Sequence, residues 1–200
     1  MQTVVLATGN AGKLAEMQTL LSPLGMAIVP QKQFFTEEAV EDGLTFIENA
    51  LIKARFASEK TGFPAIADDS GLEVDALGGQ PGIYSARYSE GYQGLPASDQ
   101  RNNEKLLAEL AQSNSQNRQA CYYCAMVFVR HPLDPTPVIG LGKWCGSVMS
   151  EPKGTGGFGY DPIIWMADQG CSVAELSKSL KNSLSHRAQA IEQLVIQLKQ

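Results

Sequence analysis

Two adjacent carboxylates, Asp68 and Asp69, are followed by Ser70 and Gly71 directly after the apolar run Pro64 to Ala67. That order places the pair at the C-terminal end of a short strand. Neighbouring carboxylates repel each other and gain most when a cation lies between or beside them. Hard carboxylate oxygens suit magnesium, although an Asp-rich turn closed by Ser and Gly uses the same residue types for backbone geometry alone. Glu41, Asp42 and Glu48 can supply a further carboxylate or form a solvated acidic face.

Three other segments carry residue types suited to an anionic or aromatic ligand. Thr8-Gly9-Asn10-Ala11-Gly12-Lys13 joins an apolar run to a helical pattern, where exposed N–H groups and the positive helix end attract an anion. It lacks the GxxxxGK[ST] spacing, so either a phosphate cradle or a plain turn fits it. Gly154-Thr155-Gly156-Gly157-Phe158-Gly159-Tyr160-Asp161 sets an aromatic pair inside a glycine stretch. The glycines allow close backbone approach, and Phe158 either offers a flat face to a base or pins the loop in the core. Lys181, Ser185, His186 and Arg187 gather donors at a helix start, which suits a phosphate or an oxygen-bearing base edge, or simply caps the helix. Lys53 stands one helical turn from Asn49, as a surface lysine would.

These residues need elements to hold them. Residues 3–7 read as a strand, and Leu14, Met17, Leu20, Leu21 and Leu24 as a helix after it. Residues 26–29 predict a second strand, and 45–60 a helix with Phe46, Ala50, Ala54 and Ala57 on one stripe. Short strands follow at 64–67 and 72–74, a long loop at 78–100, and a helix at about 98–112. Residues 118–130 and 138–149 predict two longer strands joined by the proline-bearing turn 132–137. A short strand at 163–166, a brief helix capped by Ser172, and a last helix capped by Ser185 complete the chain. The expected architecture is a single α/β domain spanning residues 1–200, with a twisted mixed sheet and flanking helices.

Composition narrows the function classes. The chain has 200 residues, 44% of them hydrophobic, a net charge of −5 and a pI of about 5.1. An acidic chain is poorly suited to a nucleic-acid backbone but compatible with a free, metal-bound nucleotide. No apolar run approaches the ~20 residues needed to cross a bilayer, and no signal-peptide pattern opens the chain, so a cytoplasmic protein without a membrane partner is expected. Cys121, Cys124, Cys145 and Cys171 are accordingly read as reduced thiols. Cys121 and Cys124 lie three apart on a strand and face opposite sides, which argues against a metal or redox site there.

Taken in order, ATGNAGK at 7–13, TFIENALIKA at 45–54, ADDSGLEVDALGGQPGIYSARY at 67–88, GTGGFGYDPI at 154–163 and SHR at 185–187 resemble the inosine/xanthosine triphosphate pyrophosphatase family. The resemblance spans the whole chain. It implies a homodimeric α/β fold, an elongated mixed sheet in two lobes with the nucleotide in a central cleft. It implies magnesium-dependent hydrolysis of ITP, dITP and XTP to the monophosphate and pyrophosphate. On that resemblance, Thr8, Gly9, Asn10, Ala11, Gly12 and Lys13 cradle the triphosphate and Lys53 assists. Glu41 and Asp69 hold Mg2+, Asp69 also accepts the proton, and Ser70 adjoins the substrate. Phe158 stacks on the purine, Gly159, Tyr160 and Asp161 shape its pocket, and Lys181, His186 and Arg187 read the base. A pyrophosphatase for other modified nucleotides and a non-catalytic nucleotide sensor are the alternatives.

Overall fold

Alternation along each strand decides which face of the sheet a side chain meets, and here it divides the apolar residues cleanly. The computed structural model describes residues 2–8, 14, 17, 18, 21 and 25–199. Its strands are β1 (Thr3–Ala7), β2 (Ala27–Pro30), β3 (Ala65–Val74), β4 (Gln119–Val129), β5 (Val138–Val148), β6 (Ile164–Met166) and β7 (Cys171–Ser172). They form one seven-stranded sheet in the order β2-β1-β3-β4-β5-β6-β7. The pairs β1–β2 and β1–β3 are parallel, and β5–β6 and β6–β7 antiparallel, so the sheet is mixed as expected. The α-helices described in full are α1 (Phe46–Thr61), α2 (Asp99–Gln112), α3 (Lys178–Leu184) and α4 (His186–Leu198).

The chain folds into two compact units, one of residues 1–69, 124–142 and 186–200, the other of residues 70–123 and 143–185. In the first unit, Val5, Ala7, Ala65, Ala67, Ala125, Val127 and Val129 pack with Ala50, Ala54 and Ala57 of α1. Their alternate neighbours Val4, Leu6, Ile66, Cys124, Met126 and Phe128 pack with Met17, Leu21 and the α4 residues Ala190, Ile191 and Leu194. In this unit the sheet is therefore covered on both faces. The alanine seam of α1 allows the helix to lie close to its face. Thr45 caps α1 by accepting from Glu48 N–H at 3.2 Å, and Gly62 closes it at φ 71°, the left-handed geometry glycine adopts without a Cβ penalty. In the second unit, Leu72, Val74, Leu106, Leu110, Tyr122, Trp144, Ile163 and Ile164 belong to one buried cluster.

Several expectations are revised. The strands foreseen at 64–67 and 72–74 are one strand, β3, so Asp68 and Asp69 lie inside it rather than at its end. The long loop at 78–100 contains short 3-10 turns at Gly82–Arg87 and Tyr92–Gly94. Ser172 caps a 3-10 turn through a reciprocal capping box with Glu175, but α3 was not foreseen, and Ser185 closes that helix as well as preceding α4. Cys121 and Cys145 are joined by a disulfide with Cα atoms 4.0 Å apart, because neighbouring strands bring them together, while Cys124 and Cys171 retain thiols.

The packing of α4 on β5 sets where His186 and Arg187 stand. A Cβ placed on Gly142 would lie 1.8 Å from the His186 carbonyl oxygen, and one on Gly140 would lie 2.0 Å from that of Ala190. Both clashes are with backbone, which cannot rotate away as a side chain does. Leu141 N–H donates to Gln193 Oε1 at 3.0 Å, and Gln197 Nε2 donates to the Ile139 carbonyl at 2.8 Å, tying the helix to the strand backbone. Gly142→Ala is expected to lower stability by about 1–3 kcal/mol through forced displacement of α4. Gln193→Ala should cost about 1 kcal/mol. Urea midpoints measure both; an unchanged midpoint for Gly142→Ala would contradict the close approach.

Candidate functional site

Parity along β3 sends its two aspartates in opposite directions. Asp69 continues the row of Ala65 and Ala67, which faces α1, and Asp68 continues the row of Ile66, which faces α4. On the α1 side, Lys53 Nζ donates to Asp69 Oδ1 at 2.9 Å and to Glu41 Oε2 at 3.0 Å. The lysine, whose spacing also suited a surface position, has only 15% of its side chain exposed. Burial alone would lower its pKa, but Asp69, Asp68 and Glu41 outweigh that and hold the ammonium above its ordinary 10.5.

Glu41 reaches this position because the residues after it are bound to the start of α1. Gly43 N–H donates to Asn49 Oδ1 at 2.9 Å, and a Cβ on Gly43 would lie 2.6 Å from Glu48 Cβ. Asn49 is buried and stands one turn before Lys53, so one helix face carries both the anchor of the acidic loop and the cation that receives it. Asp68 and Arg187 form a buried ion pair, Oδ2 to Nε at 3.5 Å, with each side chain 1% exposed. The pleat therefore sends the adjacent carboxylates to opposite faces, Asp69 onto Lys53 and Asp68 onto Arg187, while Asp68 still adds to the field that keeps Lys53 charged.

Thr8 follows Ala7, which pairs in register with Ala67, so the end of β1 runs beside the aspartates in the first unit. Gly9, Asn10, Ala11, Gly12 and Lys13 lie outside the described residues. His186 and Arg187 open α4, both buried. Ser70 is half-buried within β3.

The second unit contains the glycine loop. Asp161, 3% exposed, accepts from Phe158 N–H at 2.9 Å and from the Tyr122 hydroxyl at 3.2 Å, and it is ion-paired with Lys181. The Lys181 ammonium also lies 4.4 Å from the Phe158 ring centroid, within cation–π range. Phe158 is 41% exposed, so it is not a core plug. Tyr160 is buried, and its hydroxyl donates to the Ser85 carbonyl at 2.8 Å; burial, with Tyr88, Asp99 and Glu109 adding to it, pushes its pKa well up. Gly157 is required here, since a Cβ on it would lie 1.9 Å from Asp161 Oδ2.

Residue types alone did not indicate Tyr122 as a partner of Asp161, or Asp68 as the partner of Arg187. A weaker signal was present at Asn102 and Asn103. Two successive asparagines inside a helix are poor helix formers, and both are buried and bonded to loop backbone. Asn102 donates to the Ser85 and Ala86 carbonyls, and Asn103 donates to that of Gly159.

Similarity to known proteins extends over the whole chain. The model of the Ham1 family matches residues 4–197. The dITP/XTP pyrophosphatase of Shigella flexneri is 54% identical over 199 residues, covering 100% of this chain and 99% of the relative. The structure of a HAM1 protein from Coxiella burnetii superposes with a TM-score of 0.93 at 43% identity, covering 100% and 99% of the two chains. A nucleoside-triphosphatase / dITP/XTP pyrophosphatase from Mycobacterium abscessus gives a TM-score of 0.77 at 38% identity, over 96% and 98%.

The raised pKa of Lys53 has a defined consequence for stability. Its folded value lies above its unfolded one, so its ion pairs contribute in full below about pH 10.4 and are lost only as pH rises through the folded value. The stability difference between the native chain and Lys53→Met should therefore be constant from about pH 7 to 9 and shrink only above the ordinary lysine range. Denaturant titrations across that range test this, and a difference that fades by about pH 9 would contradict it.

Proposed function

We propose that this chain, which belongs to the Ham1 family, hydrolyses deaminated purine nucleoside triphosphates such as ITP, dITP and XTP to the monophosphate and pyrophosphate. The observation that carries the reading is the convergence on the Lys53 ammonium of Glu41 and of Asp69, the latter on the strand that runs beside the end of β1. The names of the relatives, dITP/XTP pyrophosphatase, support the substrate class. The whole chain acts as one catalytic domain, working on free nucleotides as a cytoplasmic homodimer. Among the described residues no helix is long and apolar enough to cross a membrane.

Glu41 and Asp69 fit Mg2+. Both bring carboxylate oxygens to one cation, and magnesium commonly takes one or two carboxylates while completing its shell with waters and substrate phosphates. When bound, the ion would supply charge neutralisation at the phosphates.

The chain's own groups then have the following roles. Asp69 accepts a proton from a water as that oxygen attacks the α-phosphorus. The bond from the α-phosphorus to the bridging oxygen breaks, and pyrophosphate leaves with its pair of electrons. Lys53 and Lys13 offset the charge that develops on it. Thr8, Gly9, Asn10, Ala11, Gly12 and Ser70 hold the phosphates. Phe158 stacks on the purine, in a pocket shaped by Gly159, Tyr160 and Asp161. Lys181, His186 and Arg187 read the base, whose 6-oxo group accepts from Lys or Arg, and Asp68 orients Arg187. The amino group of adenine cannot accept those bonds, so an adenine nucleotide leaves donors unpaired.

Product analysis with inosine triphosphate and magnesium should yield the monophosphate and pyrophosphate in equal amounts. Asp69→Asn is expected to lower kcat by about 10²-fold or more while leaving much of the binding. Turnover of dTTP or UTP comparable to that of ITP would overturn the purine assignment. Tight binding without product would indicate a sensor, and orthophosphate a phosphatase.

A further inference from the structure

The glycine loop is held by an element that none of the assigned roles includes. Asp99 and Asn103 stand one turn apart on α2 and so share a helix face. Asp99 Oδ2 accepts from Gly159 N–H at 2.8 Å, and Asn103 Nδ2 donates to the Gly159 carbonyl at 3.1 Å. Both polar groups of the residue next to Phe158 are thus bonded to one rigid helix. On its other side, Phe158 N–H is held by Asp161. Gly159 has φ 62°, so the chain turns sharply after the ring, and a turn of that kind drifts unless its peptide groups are fixed.

We propose that Asp99 and Asn103 are positioning residues that fix the orientation of the Phe158 ring, and through it the affinity for the purine base. The inference rests on the reading of Phe158 as the stacking platform. Asn103 is 8% exposed, whereas Asp99 is exposed. Asp99 also lies in the first turn of α2, where an acidic side chain favours the helix dipole. That ordinary role needs the charge, whereas the bond from Gly159 needs only an acceptor. The two are separable by Asp99→Asn, which loses the charge and keeps an oxygen in place.

Steady-state kinetics with ITP test the proposal. Asp99→Ala and Asn103→Ala are expected to raise KM about tenfold with kcat changed less than about twofold, and Asp99→Asn to stay near the parent. The deciding measurement repeats Asn103→Ala and Asp99→Ala in a Phe158→Ala background. Groups that act through the ring should there leave KM unchanged, because the interaction they support is gone. An equal loss in both backgrounds overturns the positioning role while leaving the stacking role intact. An unchanged KM for Phe158→Ala alone overturns the stacking reading and the positioning role with it. If the buried Asn103→Ala chain does not fold, as thermal unfolding would reveal, the exposed Asp99 series decides the question unaided.

Discussion

Buried charge in the first unit is distributed by the pleat of β3. Two carboxylates adjacent in sequence would repel each other if both projected into one space, and burial would make that worse. Because side chains alternate across a strand, Asp69 projects toward α1 and Asp68 toward α4. Each meets a cation carried by the helix covering that face, Lys53 or Arg187. A buried ion pair adds little net stability, but losing one partner strands the other charge, which typically costs ~3–5 kcal/mol. The two pairs therefore constrain strand register, since a slip of one residue would exchange the faces.

Other features follow from this constraint. The alanine seam of α1 brings Lys53 close to the sheet, and the glycines of β5 allow α4 the same approach for Arg187. Asn49 anchors the acidic loop so that Glu41 arrives at Lys53 from outside the strand. The arrangement groups acidic oxygens around a lysine whose charge is secured well past neutrality.

The second unit applies a different rule to an aromatic ring. Asp161 collects an N–H, a phenol hydroxyl and an ammonium around one buried carboxylate. A half-exposed ring on a glycine stretch would have no defined position if the loop were free. Bonds on both sides of the ring to buried or helical partners fix the main chain that carries it.

From residue order alone came the opening strands, the alanine-faced helix, the glycine loop and the last helix, because periodicity is a local property, while the roles of Lys53 and of Glu41 with Asp69 came from the family resemblance. The extent of β3 was not legible, since Asp68 to Gly71 has the composition of a turn and only its neighbours β1 and β4 draw it into the sheet. The partners of Asp68 and Asp161, the disulfide between Cys121 and Cys145, and the hold of Asp99 and Asn103 on Gly159 were likewise decided by tertiary structure. Residue type states what a group can bond. Which group it meets depends on strand parity and on how closely two backbones approach, and neither is written in any one stretch of the chain.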